Sequence, residues 1–68
     1  MNYSYNKLWK LLIDNNMIKK DLMAQANITS NTMAKMGKNQ AVSLDALGRI
    51  CVVLKCNIGD ILDIIIQE

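Results

Sequence analysis

Sixty-eight residues are too few to build a second hydrophobic core, so the chain is read as one domain over 1–68. With 51% hydrophobic residues and only two cysteines, a core without metal or cross-links is expected, which argues against a disulfide scaffold. The net charge of +2 is a weak signal, but its distribution says more. Lys19, Lys20, Lys35 and Lys38 face a single acid, Asp21, whereas Asp60, Asp63 and Glu68 follow Asn57 with no base among them. Such segregation suits a polyanionic partner on the basic side and keeps the acidic end away from it. Four lysines are also what an ordinary solubilising surface carries, so charge alone does not decide.

Apolar residues recur at helical spacing, and the chain reads as five short helices. The first runs from about Asn6 to Asn15 on a stripe of Tyr5, Leu8, Trp9 and Leu12. The second runs from about Lys19 to Ala26, with Leu22, Met23 and Ala26 inward. Asn27 follows where a helix favours a left-handed residue. Thr29 caps a third helix reaching about Lys38, with Met33 and Met36 inward and Ala34 flanking. Ser43 caps the fourth, on a stripe of Leu44, Leu47, Ile50, Cys51 and Leu54. Asn57 opens an expected fifth, with Asp60 reaching back as in a capping box and Ile58, Ile61, Leu62 and Ile65 inward. The expected fold class is all-α, a compact five-helix bundle.

Lys19 to Lys38 is the informative stretch: a short helix, a three-residue turn (Asn27-Ile28-Thr29), then another short helix. So tight a turn leaves the second helix one outward face, here carrying Ser30, Asn31, Lys35 and Lys38. Small, polar and basic, that face suits a major groove about 12 Å wide.

The ordered set from Met17-Ile18-Lys19-Lys20-Asp21-Leu22, through Thr29-Ser30-Asn31-Thr32-Met33-Ala34-Lys35-Met36 and Val42-Ser43-Leu44-Asp45-Ala46-Leu47, to Asn57-Ile58-Gly59-Asp60-Ile61 resembles the Cro/repressor-type (XRE-family) helix-turn-helix domain. Its small stand-alone regulators are especially similar. The resemblance spans about Tyr5 to Ile65 and implies a lambda-repressor-like fold and sequence-specific binding of duplex DNA as a bacterial or phage transcriptional regulator. It further implies phosphate contacts from Lys19, with Lys20 beside it, and from Lys38 and Asn39. Base reading would fall to Ser30, Asn31 and Lys35. Asparagine can pair with adenine and lysine with guanine. The chain departs from the family at three places: Ile18 replaces the usual threonine cap, Met23 a small alanine, and Asn27 a glycine.

Other residues are weighed against plainer roles. Met17, Met23, Met33 and Met36 read as core fillers rather than soft-metal ligands, since there is no histidine. Cys51 and Cys56 lack the spacing of a zinc or redox motif and read as reduced structural thiols; redox sensing through Cys56 would depend on its exposure. Tyr5 and Trp9 read as core, and three aromatics make no stacking platform. Asp45, Asp60 and Asp63 lack any histidine, serine elbow or glycine-rich loop, so no enzyme, cofactor or small-molecule substrate is expected.

A helix has no way to turn Ile64, Ile65 and Ile66 all inward. With Ile61 they either form a homodimer seam, placing two recognition helices about 34 Å apart, or fold back over helix one. A rival reading makes the chain a protein-interaction module, antirepressor- or antitoxin-like, using the 58–66 region. The polar start Met1-Asn2-Tyr3-Ser4-Tyr5 shows no secretory leader, and the Ile58–Ile66 stretch is far below the roughly 20 residues of a bilayer span. A cytoplasmic address without membrane contact is expected.

Overall fold

The computed structural model describes residues 1–66; Glu68, the last of the C-terminal acids, lies outside the described residues. Among them are four α-helices, α1 (Asn6–Asp14), α2 (Lys19–Ala26), α3 (Ser30–Gly37) and α4 (Leu44–Leu54). Two short strands, β1 (Asn2–Ser4) and β2 (Asp63–Ile65), and a 3-10 turn at Ile58–Asp60 complete the architecture.

Each helix stops in the same way. Asn16, Asn27, Asn39 and Lys55 adopt left-handed backbone, with φ of 55°, 55°, 57° and 53°. The next residue's N–H then reaches back to a carbonyl five positions earlier: Met17 to Leu12 at 2.8 Å, Ile28 to Met23 at 2.9 Å, Gln40 to Lys35 at 2.9 Å, and Cys56 to Cys51 at 3.1 Å. This is the six-residue left-handed stop that satisfies the last orphan carbonyls. Asparagine tolerates the conformation better than other residues with a Cβ, and three of the four positions use it. In α4, Cys51 and Cys56 occupy the two ends of this closure, and both thiols are free.

The starts differ. Thr29 Oγ1 accepts from Thr32 N–H at 3.2 Å, and Ser43 Oγ accepts from Ala46 N–H at 3.1 Å, as expected. Ile18 offers no side-chain cap, but Asp21 Oδ2 accepts from its N–H at 3.1 Å. One half of a capping box therefore survives where the threonine is missing.

Tyr5, Leu8, Leu12, Leu22, Ala26, Ile28, Met33, Met36, Ala46, Leu47, Ile50 and Ile61 form one connected core, with Met17, Met23, Trp9 and Cys51 half-buried against it. Met17, Met23, Met33 and Met36 thus all fill or line that core. Leu44, expected on the stripe of α4, is 73% exposed; it occupies the first turn, and Ala46 takes the inward position.

The expected fifth helix does not form. Asp60 does reach back, its Oδ2 accepting from Asn57 N–H at 2.9 Å, but only one 3-10 turn follows before the chain extends. The cause is β-branching together with a distant partner. Ile64, Ile65 and Ile66 lose side-chain freedom in a helix and suit an extended chain, and β1 is there to receive the first two. Asn2 pairs with Ile65, Tyr3 with Ile64 and Ser4 with Asp63, antiparallel. Lys7 Nζ fastens this corner, donating to Gly59 O at 3.1 Å and pairing with Asp63 at 3.0 Å.

Candidate nucleic-acid interface

Helix α3 buries Met33 and Met36 and leaves Ser30, Asn31, Ala34, Lys35 and the capping Lys38 exposed. At 3.6 residues per turn, those five positions fall within an arc of about 140°. The four residues singled out by sequence therefore share one side of one helix. Asn39, also exposed, follows directly in its left-handed conformation. Lys19 and Lys20 open α2 and are exposed as well.

Four anchors hold this face outward. Ile28, at the centre of the turn, is 5% exposed and pins it to the core. Arg49 Nε donates to Ala26 O at 3.1 Å, tying α4 to the end of α2, while its other arm pairs with Asp45. Beyond α3, the buried Tyr5 donates its hydroxyl hydrogen to Gln40 O at 2.7 Å, fixing the segment after the helix from the side of α1. Burial, and then the nearby Tyr3, push the Tyr5 phenol above its ordinary range, which keeps it a donor. Trp9 packs on Tyr5 with ring centroids 6.5 Å apart and tilted by 52°, and carries the Lys19 ammonium 4.3 Å from its own ring centroid.

Charge is arranged to match. Lys7 and Arg49 are each committed to an aspartate, whereas Lys19, Lys20, Lys35 and Lys38 make no ion pair among the described residues. The basic segment thus presents charge without an ion-pair partner among the described residues, beside hydrogen-bonding side chains, a surface suited to polyanion binding.

The isoleucine cluster expected at a dimer seam is split. Ile61 is fully buried and belongs to the core, so it is withdrawn from that surface, while Ile64, Ile65 and Ile66 are 56%, 47% and 78% exposed. At the opposite end of the corner, burial first, then Cys51 and Asp60, push the Cys56 thiol up, which disfavours the reactive thiolate.

Some residues escaped the sequence reading. Ala34 was placed beside the inner face but stands near the middle of the outer one, four residues from both Ser30 and Lys38; that spacing alone could have located it. Its methyl offers the apolar contact that a thymine methyl accepts. The roles of Tyr5, Arg49 and Trp9 depend on contacts across 10 to 35 residues, for which the sequence carries no local signal.

Residues 7–67 match the model of a Cro/C1-type helix-turn-helix DNA-binding domain. Among solved structures, the chain is similar to the crystal structure of the transcriptional regulator VanUg (form II). The two are 50% identical with a TM-score of 0.88, covering 91% of this chain and 83% of that one. Among curated proteins, none matches.

Proposed function

The chain belongs to the Cro/C1-type helix-turn-helix DNA-binding family, and from that premise we propose that it reads duplex DNA by laying α3 in the major groove. At the coarser level it is a DNA-binding transcriptional regulator of a generally non-enzymatic family. No helix of the described residues is long and apolar enough to cross a membrane. In the proposed mode Ser30, Asn31 and Lys35 meet base edges, and Lys19, Lys20, Lys38 and Asn39 meet phosphates. Base contacts specify and phosphate contacts position. Asn31 pairs with adenine N6 and N7, and Lys35 donates to guanine O6 and N7.

One observation carries this reading: Ser30, Asn31, Lys35 and Lys38 are all exposed on one face of a helix whose other face is anchored in the core. A buried or scattered set would have removed it. The exposed Ile64, Ile65 and Ile66 support a second proposal, that two copies associate through the β-ribbon corner and address two half-sites.

Titration of a labelled random duplex at low and high salt tests the DNA reading. The logarithm of affinity should fall linearly with that of salt, with a slope near −0.9 per phosphate neutralised. Binding absent at low salt would reject the reading and leave the isoleucine corner as an interaction surface for another protein. Selection of bound sequences from a random pool should return a two-fold symmetric site if two copies act together, and a single asymmetric half-site if not.

A further inference from the structure

We infer that Trp9 is a positioning residue for DNA binding: the face of its indole holds the Lys19 ammonium in place for a phosphate. The inference rests on the reading of Lys19 as a phosphate contact and adds how that contact is prepared. Lysine is a poor anchor when free, because four rotatable bonds must be frozen to present one charge. Here two features restrain it. Lys19 borders an apolar groove shared with Trp9, Leu12 and Met17, and apolar surface favours a lysine stem lying along it. Its ammonium rests 4.3 Å from the Trp9 ring centroid, within the range where the ring's negative face attracts a cation.

No acid competes for that charge among the described residues, since both ion pairs there engage other bases. An ammonium carries three donors, and a ring covering one side leaves hydrogens free for phosphate oxygens. A carboxylate partner would instead have neutralised the charge that DNA needs. The ring is itself well placed to act as a fixed support. Trp9 leans on Tyr5, which is 1% exposed and bonded to Gln40 O, next to Asn39. The aromatic pair at the start of α1 divides the work: Tyr5 holds Gln40 after α3, and Trp9, supported by Tyr5, holds Lys19 at the start of α2.

The test is a cycle of Trp9→Leu, Trp9→Phe, Lys19→Ala and the double variant Trp9→Leu/Lys19→Ala, titrated with random duplex across salt. Circular dichroism melts fix a temperature at which every variant is folded. Lys19→Ala should lower the salt slope by about one. Trp9→Leu should weaken binding about two- to fivefold, the fold-change expected of an exposed cation–π contact. Trp9→Phe should retain more affinity than Trp9→Leu. The double variant should bind as Lys19→Ala does, because the tryptophan acts only through that lysine. Equal loss from Trp9→Leu with and without Lys19 would overturn the inference and assign Trp9 to the fold alone. Unchanged binding by Trp9→Leu would overturn it too, since the ring would then contribute nothing through Lys19, and so would tighter binding, which would show the ring holding the ammonium away from DNA. In both cases salt-dependent binding by the unaltered protein leaves the DNA reading standing, whereas its absence removes both.

Discussion

Residues 19–40 and residues 57–66 both carry local helix-start signals and are opposite in how they fold. In the first, every boundary is set by a neighbour in sequence: Asp21 serves Ile18, Thr29 serves Thr32, and Asn27 and Asn39 turn left-handed to stop α2 and α3. In the second, a start signal of the same kind at Asn57 and Asp60 yields one turn, and β1, some sixty residues away, decides the rest. Local hydrogen bonds start a helix, but a short one persists only when packing supports an amphipathic face. After Ile61 only Leu62 still packs against the core, and the β-branched Ile64 and Ile65 that follow pair with β1 instead.

The sharpest way to break this comparison is to truncate two isoleucines three residues apart. Ile61 is fully buried whereas Ile64 is 56% exposed. Ile61→Ala should cost about 2–5 kcal/mol, the range for deleting a buried aliphatic group, enough to unfold much of so small a domain. Ile64→Ala should cost less than about 1 kcal/mol. Urea unfolding of both measures the difference. Equal costs would mean that Ile64 in the ribbon carries as much of the core as Ile61 does.

On the helix-turn-helix side the comparison lies between two exposed residues of α3. Asn31→Ala should cost about 1–3 kcal/mol on a selected sequence and relax base preference there. Lys38→Ala should weaken specific and random duplexes alike and lower the salt slope by about one. Competition binding against random DNA separates them. Equal losses for Asn31→Ala on both duplexes would remove it from base reading.

How much of this was legible follows from range. Helix α2 was read to the residue, α3 to within one at each end and α4 at its start, because Thr29, Ser43 and the left-handed asparagine at Asn27 are signals within four positions of what they control. The exposed set on α3 was legible for the same reason, apart from Ala34, whose small side chain fits either face. The fifth helix was misread because its sequence satisfies a local start rule, and the competing strand was a polar tripeptide, Asn2-Tyr3-Ser4, with no pattern of its own. Tyr5 was rightly placed in the core, but nothing in its surroundings named Gln40 as the acceptor of its hydroxyl.

That hydroxyl gives a pH test of the link between the two regions. Tyr5→Phe should cost about 0.5–1.5 kcal/mol, the net value of one hydrogen bond. The phenol is raised above its ordinary 10.0 by burial and then by Tyr3, so the folded state holds the proton more tightly than the unfolded one. The contribution is complete below pH 10 and is lost as pH rises through the raised folded value. Thermal melts of the unaltered protein should therefore lose stability above about pH 10, with a smaller loss in Tyr5→Phe. Parallel decline in the two proteins would show that Tyr5 does not govern the alkaline limb.

The smallest expected effect concerns the one helix end that breaks the pattern. Asn16, Asn27 and Asn39 supply a residue that tolerates left-handed backbone, whereas Lys55 adopts φ 53° with a long side chain. A Cβ in that region crowds the following carbonyl, and asparagine or glycine lowers the strain. Lys55→Asn should stabilise by a few tenths of a kcal/mol and Lys55→Gly by about 0.5–1 kcal/mol, the latter offset in part by glycine's freedom when unfolded. A domain of this size responds with roughly 4–8 °C in Tm per kcal/mol, so Lys55→Gly should melt a few degrees higher. The same exchange at Asn27 should gain less, since asparagine has already relieved most of the strain there. If Lys55→Gly leaves Tm unchanged while Asn27→Gly raises it, the shared helix-end geometry does not set the energetics of these stops. The lysine at α4 would then be tolerated because Cys51, Cys56 and the core beneath them hold that closure together on their own.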